Sequence, residues 1–206
     1  GEDRVGRVIA RPFTGKPGSF TRTSRRKDFS CSPPQPTLLD NVKEAGLPVV
    51  GIGKVDDLFA GRGFTETHHS VNNADCHRLT VETMEKTRTG LIFTNLVQFD
   101  MDWGHRNDPV AFAAGLKEFD DCLPAILNAL DRHDLLFITA DHGNDPTTPS
   151  TDHSREYVPL LAFGPGYKQR VDLGTRPTFA DLGQTAAEFL NVKPTSNGTS
   201  FLELIR

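Results

Sequence analysis

Short apolar segments alternate with helical stretches from about residue 36 onward, and this alternation restricts the fold more than any other feature of the sequence. Four apolar segments have the length of strands: 47–53, 90–97, 135–139 and 158–163. Short apolar strands separated by helices form a mostly parallel sheet that is covered on both faces. The sequence therefore predicts an α/β fold, with a three-layer α/β/α core over residues 34–206.

Apolar periodicity and capping residues mark the predicted helices. Between residues 109 and 131, apolar side chains recur at steps of three and four, which is the stripe of an amphipathic helix packed on a sheet. Thr37 is suited to begin a helix, and Thr178 with Asp181 three residues later resembles a capping box. Three further helices are predicted at residues 37–46, 75–86 and 178–190.

Composition and charge exclude several classes of function. The formal net charge of −4 gives no broad basic field for nucleic acid or an anionic membrane. No apolar segment approaches the roughly 20 residues that span a bilayer. The three cysteines, Cys31, Cys76 and Cys122, are scattered and odd in number, which favours reduced thiols over a disulfide framework. We expect a soluble, cytoplasmic, globular protein.

Residues 1–33 differ from the rest because eight arginines and lysines crowd a stretch that glycine and proline interrupt. Two interpretations remain open at this point. The segment is either a solvated basic loop or a surface that meets an anionic substrate, since guanidinium groups match phosphate oxygens in pairs. Residues 5–10 within it have the pattern of an edge strand.

Three clusters of aspartate and histidine follow the predicted strands, at residues 99–106, 139–145 and 151–156. A single aspartate after a strand is most often a turn or helix cap, but three such clusters are hard to explain by capping. Ligand sites in open α/β sheets lie at the carboxyl ends of the strands. Carboxylate oxygen and imidazole nitrogen together suit Mn²⁺ or Zn²⁺ better than Ca²⁺. The clusters therefore predict a divalent metal site, and two such ions could clamp a transferring phosphoryl group.

These clusters carry a resemblance to a known family. The segments 99–109, 139–146 and 151–160 are similar to the metal motifs of the phosphopentomutases, within the alkaline phosphatase superfamily, and residues 178–183 and 198–201 also fit. The Asp141-His142-Gly143-Asn144 run is shared with cofactor-independent phosphoglycerate mutases. In those relatives the preceding aspartate stands four residues before the histidine, whereas Asp100 here stands five before His105. The likeness covers essentially the whole chain.

The resemblance implies an alkaline phosphatase-like fold and an isomerase activity. Phosphopentomutases interconvert ribose or deoxyribose 1-phosphate and 5-phosphate through a phosphothreonine enzyme and a 1,5-bisphosphate intermediate. The implied cofactors are two Mn²⁺ or other divalent cations and a sugar bisphosphate activator, and the implied substrate is a small sugar phosphate. The implied setting is nucleoside and pentose phosphate metabolism. The alternatives are a phosphatase or phosphoglycerate mutase of the same superfamily, or a metal-binding fragment without activity.

The resemblance also assigns roles to particular residues. Asp100, His105 and His153 would hold one cation. Asp141 and His142 would contribute to the second cation, whereas Asp102 and Asp152 would lie close by and either contact the ligands or face solvent. The substrate-binding residues implied by order and context are Arg11, Arg26 and Lys54.

Part of the family pattern has no counterpart in this sequence. No segment upstream of Asp100 matches the strand with a further aspartate ligand or the threonine that carries the phosphate. The resemblance therefore implies a remnant of a small α+β cap domain at residues 1–33 and a core at residues 34–206 whose N-terminal part is absent. We expect no catalytic nucleophile in this chain, no turnover by the chain alone, and a companion N-terminal fragment or self-association.

Overall fold

Strands and helices alternate along the chain in the computed structural model, which describes residues 5–23, 25 and 27–206. The strands are β1 (Arg7–Ala10), β2 (Phe13–Thr14), β3 (Thr21–Arg22), β4 (Lys27–Ser30), β5 (Val49–Ile52), β6 (Glu66–His68), β7 (Leu91–Thr94), β8 (Leu136–Thr139) and β9 (Leu160–Phe163). The α-helices are α1 (Leu38–Glu44), α2 (Val55–Leu58), α3 (Asn73–Lys86), α4 (Pro109–Ala129), α5 (Ala180–Phe189) and α6 (Leu202–Ile205). A π-helical turn (Phe99–Trp103) and a 3₁₀ turn (Gly104–Arg106) lie between β7 and α4.

Two antiparallel ribbons form the basic N-terminal segment. Strand β1 pairs with β4, and β2 pairs with β3. The edge strand predicted within residues 5–10 is β1. Large apolar side chains on these ribbons are exposed, among them Phe13 and Phe20, whose rings contact edge to face with centroids 4.9 Å apart. Two-stranded ribbons are marginally stable by themselves, so these pairs gain little from their own packing.

A parallel sheet in the order β6-β5-β7 forms the centre of the core, as the sequence predicts. Strand β5 is buried along its whole length. Gly51 in β5 lies against Phe64, and a Cβ at this position would crowd the Phe64 ring at 2.8 Å. One core cluster at β5 consists of Leu39, Val42, Val49, Val55 and Phe64, and a second consists of Val50, Ile52 and Cys76. Helices α2 and α3 lie between the parallel strands in sequence, which supplies the crossovers that parallel pairing requires.

Strands β8 and β9 form a second unit with antiparallel pairing. The 140–159 segment between them forms turns and a single bridge from Gly143 to Ser154, and the structure places no helix there. A parallel connection needs a long crossover, usually a helix. The 140–159 segment folds back without a crossover helix, in keeping with the antiparallel pairing of β8 and β9.

Helix α4 begins as its sequence predicts and anchors the turn that precedes it. The Asp108 carboxylate accepts a hydrogen bond from the Ala111 amide at 2.9 Å, and Pro109 takes the first helical position. Gly115 lies against the Trp103 ring, and a Cβ at Gly115 would overlap that ring. This close approach fixes the π-helical turn against α4.

The expected capping box at Thr178 is wrong. The Thr178 hydroxyl accepts from the Ala180 amide at 3.2 Å, but the Asp181 carboxylate accepts instead from Arg176 Nε and from the Thr199 amide, each at 2.8 Å. The same spacing does form a box at α1, where the Asp40 carboxylate accepts from the Thr37 amide at 2.6 Å. Among the described residues, no helix combines the length and apolar character that a membrane span requires.

Candidate metal centre

Three segments at the carboxyl ends of β7 and β8 bring carboxylate and imidazole groups together. Asp100 and His105 follow β7, on the π-helical and 3₁₀ turns. His142 follows β8, and the bridge between Gly143 and Ser154 folds the chain back so that His153 returns to the same place. Strand ends deliver these side chains, as expected for a ligand site in an α/β sheet.

The Asp100 carboxylate lies at the centre of this group. Its Oδ1 is 3.1 Å from His153 Nε2 and 4.0 Å from His142 Nε2, and its Oδ2 is 3.4 Å from His105 Nε2. One potential ligand atom from each of Asp100, His142 and His153 lies within 4.8 Å of the other two. These distances fit a divalent cation bound among oxygen and nitrogen donors.

Hydrogen bonds select the tautomers of two imidazoles. His105 Nδ1 lies 2.6 Å from the Thr151 carbonyl oxygen, and His142 Nδ1 lies 3.2 Å from the Gly143 carbonyl oxygen. A carbonyl oxygen only accepts, so Nδ1 carries the proton in both rings. In the neutral ring, Nε2 then presents a lone pair, which is the form that binds a metal.

The three imidazole rings stack against one another. His153 stacks between two partners, with centroid distances of 3.8 Å to His142 and 4.9 Å to His105. All three Nε2 atoms lie within 4.0 Å of an Asp100 oxygen. Carboxylate oxygens and imidazole nitrogens are both ligands of borderline divalent cations, so the donor set fits a bound divalent metal.

Asp141 lies at the outer side of the group. Its Oδ2 is 3.7 Å from His142 Nε2, and its side chain is 61% exposed. His142 is therefore within reach of both Asp100 and Asp141. All five residues that the sequence nominates as ligands, Asp100, His105, Asp141, His142 and His153, belong to one continuous group. Their division between two cations stays a prediction.

The residues nominated for substrate binding are placed less completely. Lys54 is exposed just after β5, and its Nζ lies 3.9 Å from the Met101 sulfur, one residue beyond Asp100. Arg11 is exposed in the turn between β1 and β2. Arg26 lies outside the described residues. Lys54 therefore stands at the rim of the candidate ligand group.

Polar residues that were not nominated as ligands support the group. The Asn144 amide donates to Asp100 Oδ1 at 2.7 Å. Asn73 and Gln98 form two reciprocal hydrogen bonds. The Asn73 backbone amide donates to Gln98 Oε1 at 2.7 Å, and the Gln98 backbone amide donates to Asn73 Oδ1 at 3.3 Å. These bonds tie the start of α3 to the segment that carries Asp100. Asn144 stands in the recognised Asp-His-Gly-Asn run, whereas no sequence pattern pairs Asn73 with Gln98.

Comparison with curated proteins gives relatives of high identity. The chain is 59% identical over 205 residues to the phosphopentomutase of Dictyoglomus thermophilum, a match that covers 100% of this chain and 52% of that protein. It is 57% identical over 203 residues to the phosphopentomutase of Thermotoga maritima, covering 98% of this chain and 52% of the relative. The chain thus spans about half the length of these relatives.

Solved structures share the fold at low sequence identity. Leishmania mexicana phosphoglycerate mutase superposes with a TM-score of 0.63 at 20% identity, over 82% of this chain and 39% of that protein. A 2-O GAG sulfatase gives a TM-score of 0.60 at 18% identity, over 83% of this chain and 56% of its own. The alkaline phosphatase-like α/β fold expected from the sequence is confirmed.

A family match covers most of the chain. The sequence pattern of the metalloenzyme superfamily matches residues 23–194, which include all five candidate ligands. The fold, the grouping of donors around Asp100 and the high identity to the curated relatives agree with this match. The chain belongs to the metalloenzyme superfamily.

Proposed function

We propose that this chain is part of a phosphopentomutase, an isomerase that interconverts ribose or deoxyribose 1-phosphate and 5-phosphate. The observation that carries the proposal is the convergence of three imidazoles on Asp100 in a chain 59% identical over its whole length to a phosphopentomutase. The substrate is a small sugar phosphate, and the protein works in the cytoplasm within nucleoside and pentose phosphate metabolism. A sugar bisphosphate activates it.

The proposed cofactors are two Mn²⁺ or other divalent cations. Asp100, His105 and His153 hold one of them, because both oxygens of Asp100 face imidazole nitrogens of this set. Asp141 and His142 contribute to the second, since their donor atoms lie 3.7 Å apart on the outer side of the group. When bound, such cations lower the pKa of an attacking hydroxyl and neutralise charge on a transferring phosphoryl group.

Basic residues hold the substrate in this proposal. Lys54 is suited to a phosphate oxygen because it is exposed beside the metal group and forms no ion pair within the described part of the chain. Arg11 and Arg26, from the basic N-terminal segment, bind the phosphate that is not transferred. Holding that phosphate keeps a 1,5-bisphosphate in place while the sugar turns and returns its other phosphate to the enzyme.

A companion part of the protein completes the site in this proposal. Residues 1–33 belong to a cap domain and residues 34–206 to the core. The phosphorylated threonine and a further aspartate ligand come from a segment outside these 206 residues. Within the described residues, β7 is paired only with β5 and β8 only with β9, so each has an open edge that another strand can fill.

The assay that tests the proposal follows two products at once. Full-length protein with Mn²⁺ receives ribose 1-phosphate, and ribose 5-phosphate formation is measured beside release of inorganic phosphate. We expect isomerisation with little phosphate release, and none with the 206-residue chain alone. Release of phosphate as the main product, or conversion of phosphoglycerate instead of the pentose phosphate, would reject the mutase in favour of another enzyme of the superfamily.

A further inference from the structure

The Asp100 carboxylate is held in one orientation by a neighbouring amide. Asn144 Nδ2 donates to Asp100 Oδ1 at 2.7 Å. A carboxylate that accepts such a bond cannot turn freely about its Cβ–Cγ bond. Oδ1 therefore stays on the side of His142 and His153, and Oδ2 stays on the side of His105.

Gly104 leaves the space that this amide occupies. A Cβ on Gly104 would overlap the Asn144 side-chain amide, contacting its carbon, nitrogen and oxygen together. Gly104 has φ −62° and ψ −60°, a backbone conformation that any residue adopts. Glycine is therefore required here for space and not for conformation. It is also buried and directly precedes His105 in the 3₁₀ turn.

We propose that Asn144 is a positioning residue of the metal centre, and that Gly104 admits it. Asn144 orients Asp100 for metal binding without itself holding the cation. The inference rests on the proposed metal centre, but it is independent of which reaction the protein catalyses. Outer partners that orient a ligand in this way usually change metal affinity by about 10- to 100-fold when they are removed.

The test measures binding of Mn²⁺ alone by isothermal titration calorimetry, with electron paramagnetic resonance of the bound ion as a second readout. Asn144→Leu keeps a branched side chain of similar size but lacks the donor. We expect Asn144→Leu, Asn144→Ala and Gly104→Ala each to weaken Mn²⁺ binding about 10- to 100-fold. Circular dichroism of the metal-free variants checks that each is folded.

A double variant separates positioning from general damage. In Gly104→Ala/Asn144→Ala, the added methyl group enters space that the shortened side chain has left. We expect the double variant to bind Mn²⁺ about as weakly as either single variant, because both single changes break the same contact. Gly183→Ala is the matched control, since a Cβ there meets no atom within 4 Å, and it should leave the affinity unchanged.

Two negative results are distinguishable. If the unaltered protein binds no Mn²⁺, the proposed metal centre fails and this inference fails with it. If the unaltered protein binds Mn²⁺ and a folded Asn144→Leu variant binds within twofold of it, only the inference about Asn144 is overturned. Single losses that multiply in the double variant would also overturn it. The Asn144→Leu measurement decides the matter even if Gly104→Ala does not fold.

Discussion

At the scale of single residues, Asp100 has the largest share in the candidate centre, because three imidazoles and one amide converge on its two oxygens. Its neighbour Asp102, two residues along the same π-helical turn, is exposed and accepts a hydrogen bond from Gln98. The two carboxylates lie on the same turn and carry the same charge, but their surroundings differ. They therefore form a matched pair for asking which one binds a cation.

Replacing Asp100 by alanine should abolish tight binding of Mn²⁺, with a loss beyond the roughly 10- to 100-fold typical of outer partners. Asp102→Ala should keep the affinity of the unaltered protein, because its carboxylate contacts Gln98 and no imidazole. Elemental mass spectrometry after dialysis measures the manganese content of both variants. Equal losses in both variants would show that the ligand assignment at this turn is wrong.

The sequence identified the candidate ligand residues but not the contacts among their side chains. Aspartate and histidine after the ends of strands were predictable, because ligand sites in α/β folds lie at the carboxyl ends of strands. The contact of Asn144 with Asp100 was not, since a side-chain amide has no periodicity and its partner stands 44 positions earlier in the chain. The position of His142 between Asp100 and Asp141 likewise depends on the return of the 140–159 segment.

At the scale of elements, helix α5 shows why local pattern can mislead. Thr37 with Asp40 and Thr178 with Asp181 have identical spacing, yet only the first pair forms a capping box. Asp181 is 1% exposed and has stronger partners, the Arg176 guanidinium and the Thr199 amide. The Arg176 ion pair and the bond from the Thr199 amide, 18 residues away, outcompete the capping bond, and the Thr178-to-Asp181 spacing does not show either competitor.

Asp181→Asn should destabilise the fold by about 3 kcal/mol, because the change leaves the partly buried Arg176 without its counter-ion. Urea unfolding followed by circular dichroism measures the loss. Asp120→Asn, on the exposed side of α4, is the control and should cost less than about 0.5 kcal/mol. A loss at Asp181 no greater than at Asp120 would refute a structural role for this network.

The interface of α3 and α4 should make stability depend on pH. His77 is buried there, with its ring centroid 5.4 Å from that of Phe119, and burial lowers the pKa of His77 although Glu118 acts in the opposite direction. A lowered pKa means that the folded protein favours the neutral ring. The contribution of the neutral His77 ring to the free energy of unfolding is complete above the unfolded-state pKa near 6.5. It is lost as pH falls toward the lower folded-state pKa.

The measurement is urea unfolding at pH 7.5 and pH 5.5. The fall in the free energy of unfolding between these values should be smaller in His77→Gln than in the unaltered protein, because glutamine does not titrate. His133→Gln, at an exposed position, should leave the fall unchanged. An identical pH dependence in all three proteins would exclude His77 as a source.

At the scale of the whole molecule, the open strand edges are the feature that matters most. The Leu91 amide of β7 donates to the Pro48 carbonyl just before β5, and the Asn95 amide just beyond β7 donates to the Ile52 carbonyl. Amides alternate in direction along a strand, so Ile92 and Thr94 face the other edge. Within the described residues no strand covers that edge. This chain covers 52% of the length of each of two curated relatives. We expect the remaining part of such a protein to supply a strand for this edge.

Hydrogen exchange tests this arrangement. In the 206-residue chain, the Ile92 and Thr94 amides should exchange faster than the Leu91 and Asn95 amides, because the latter two donate to the Pro48 and Ile52 carbonyls. In full-length protein all four should be protected. Equal and strong protection in the short chain would show that the edge is covered by self-association, which size-exclusion chromatography would detect as a larger species.

The candidate ligands Asp100 and His153 lie 53 positions apart in the sequence, and His142 lies between them. A cation held by all three would act as a removable cross-link, tying distant parts of one polypeptide without a covalent bond. Binding to the folded form alone adds about 4 kcal/mol at a thousandfold excess over the dissociation constant. Thermal melts should therefore shift upward with added Mn²⁺ and downward with a chelator, so that protease resistance follows the local supply of the ion.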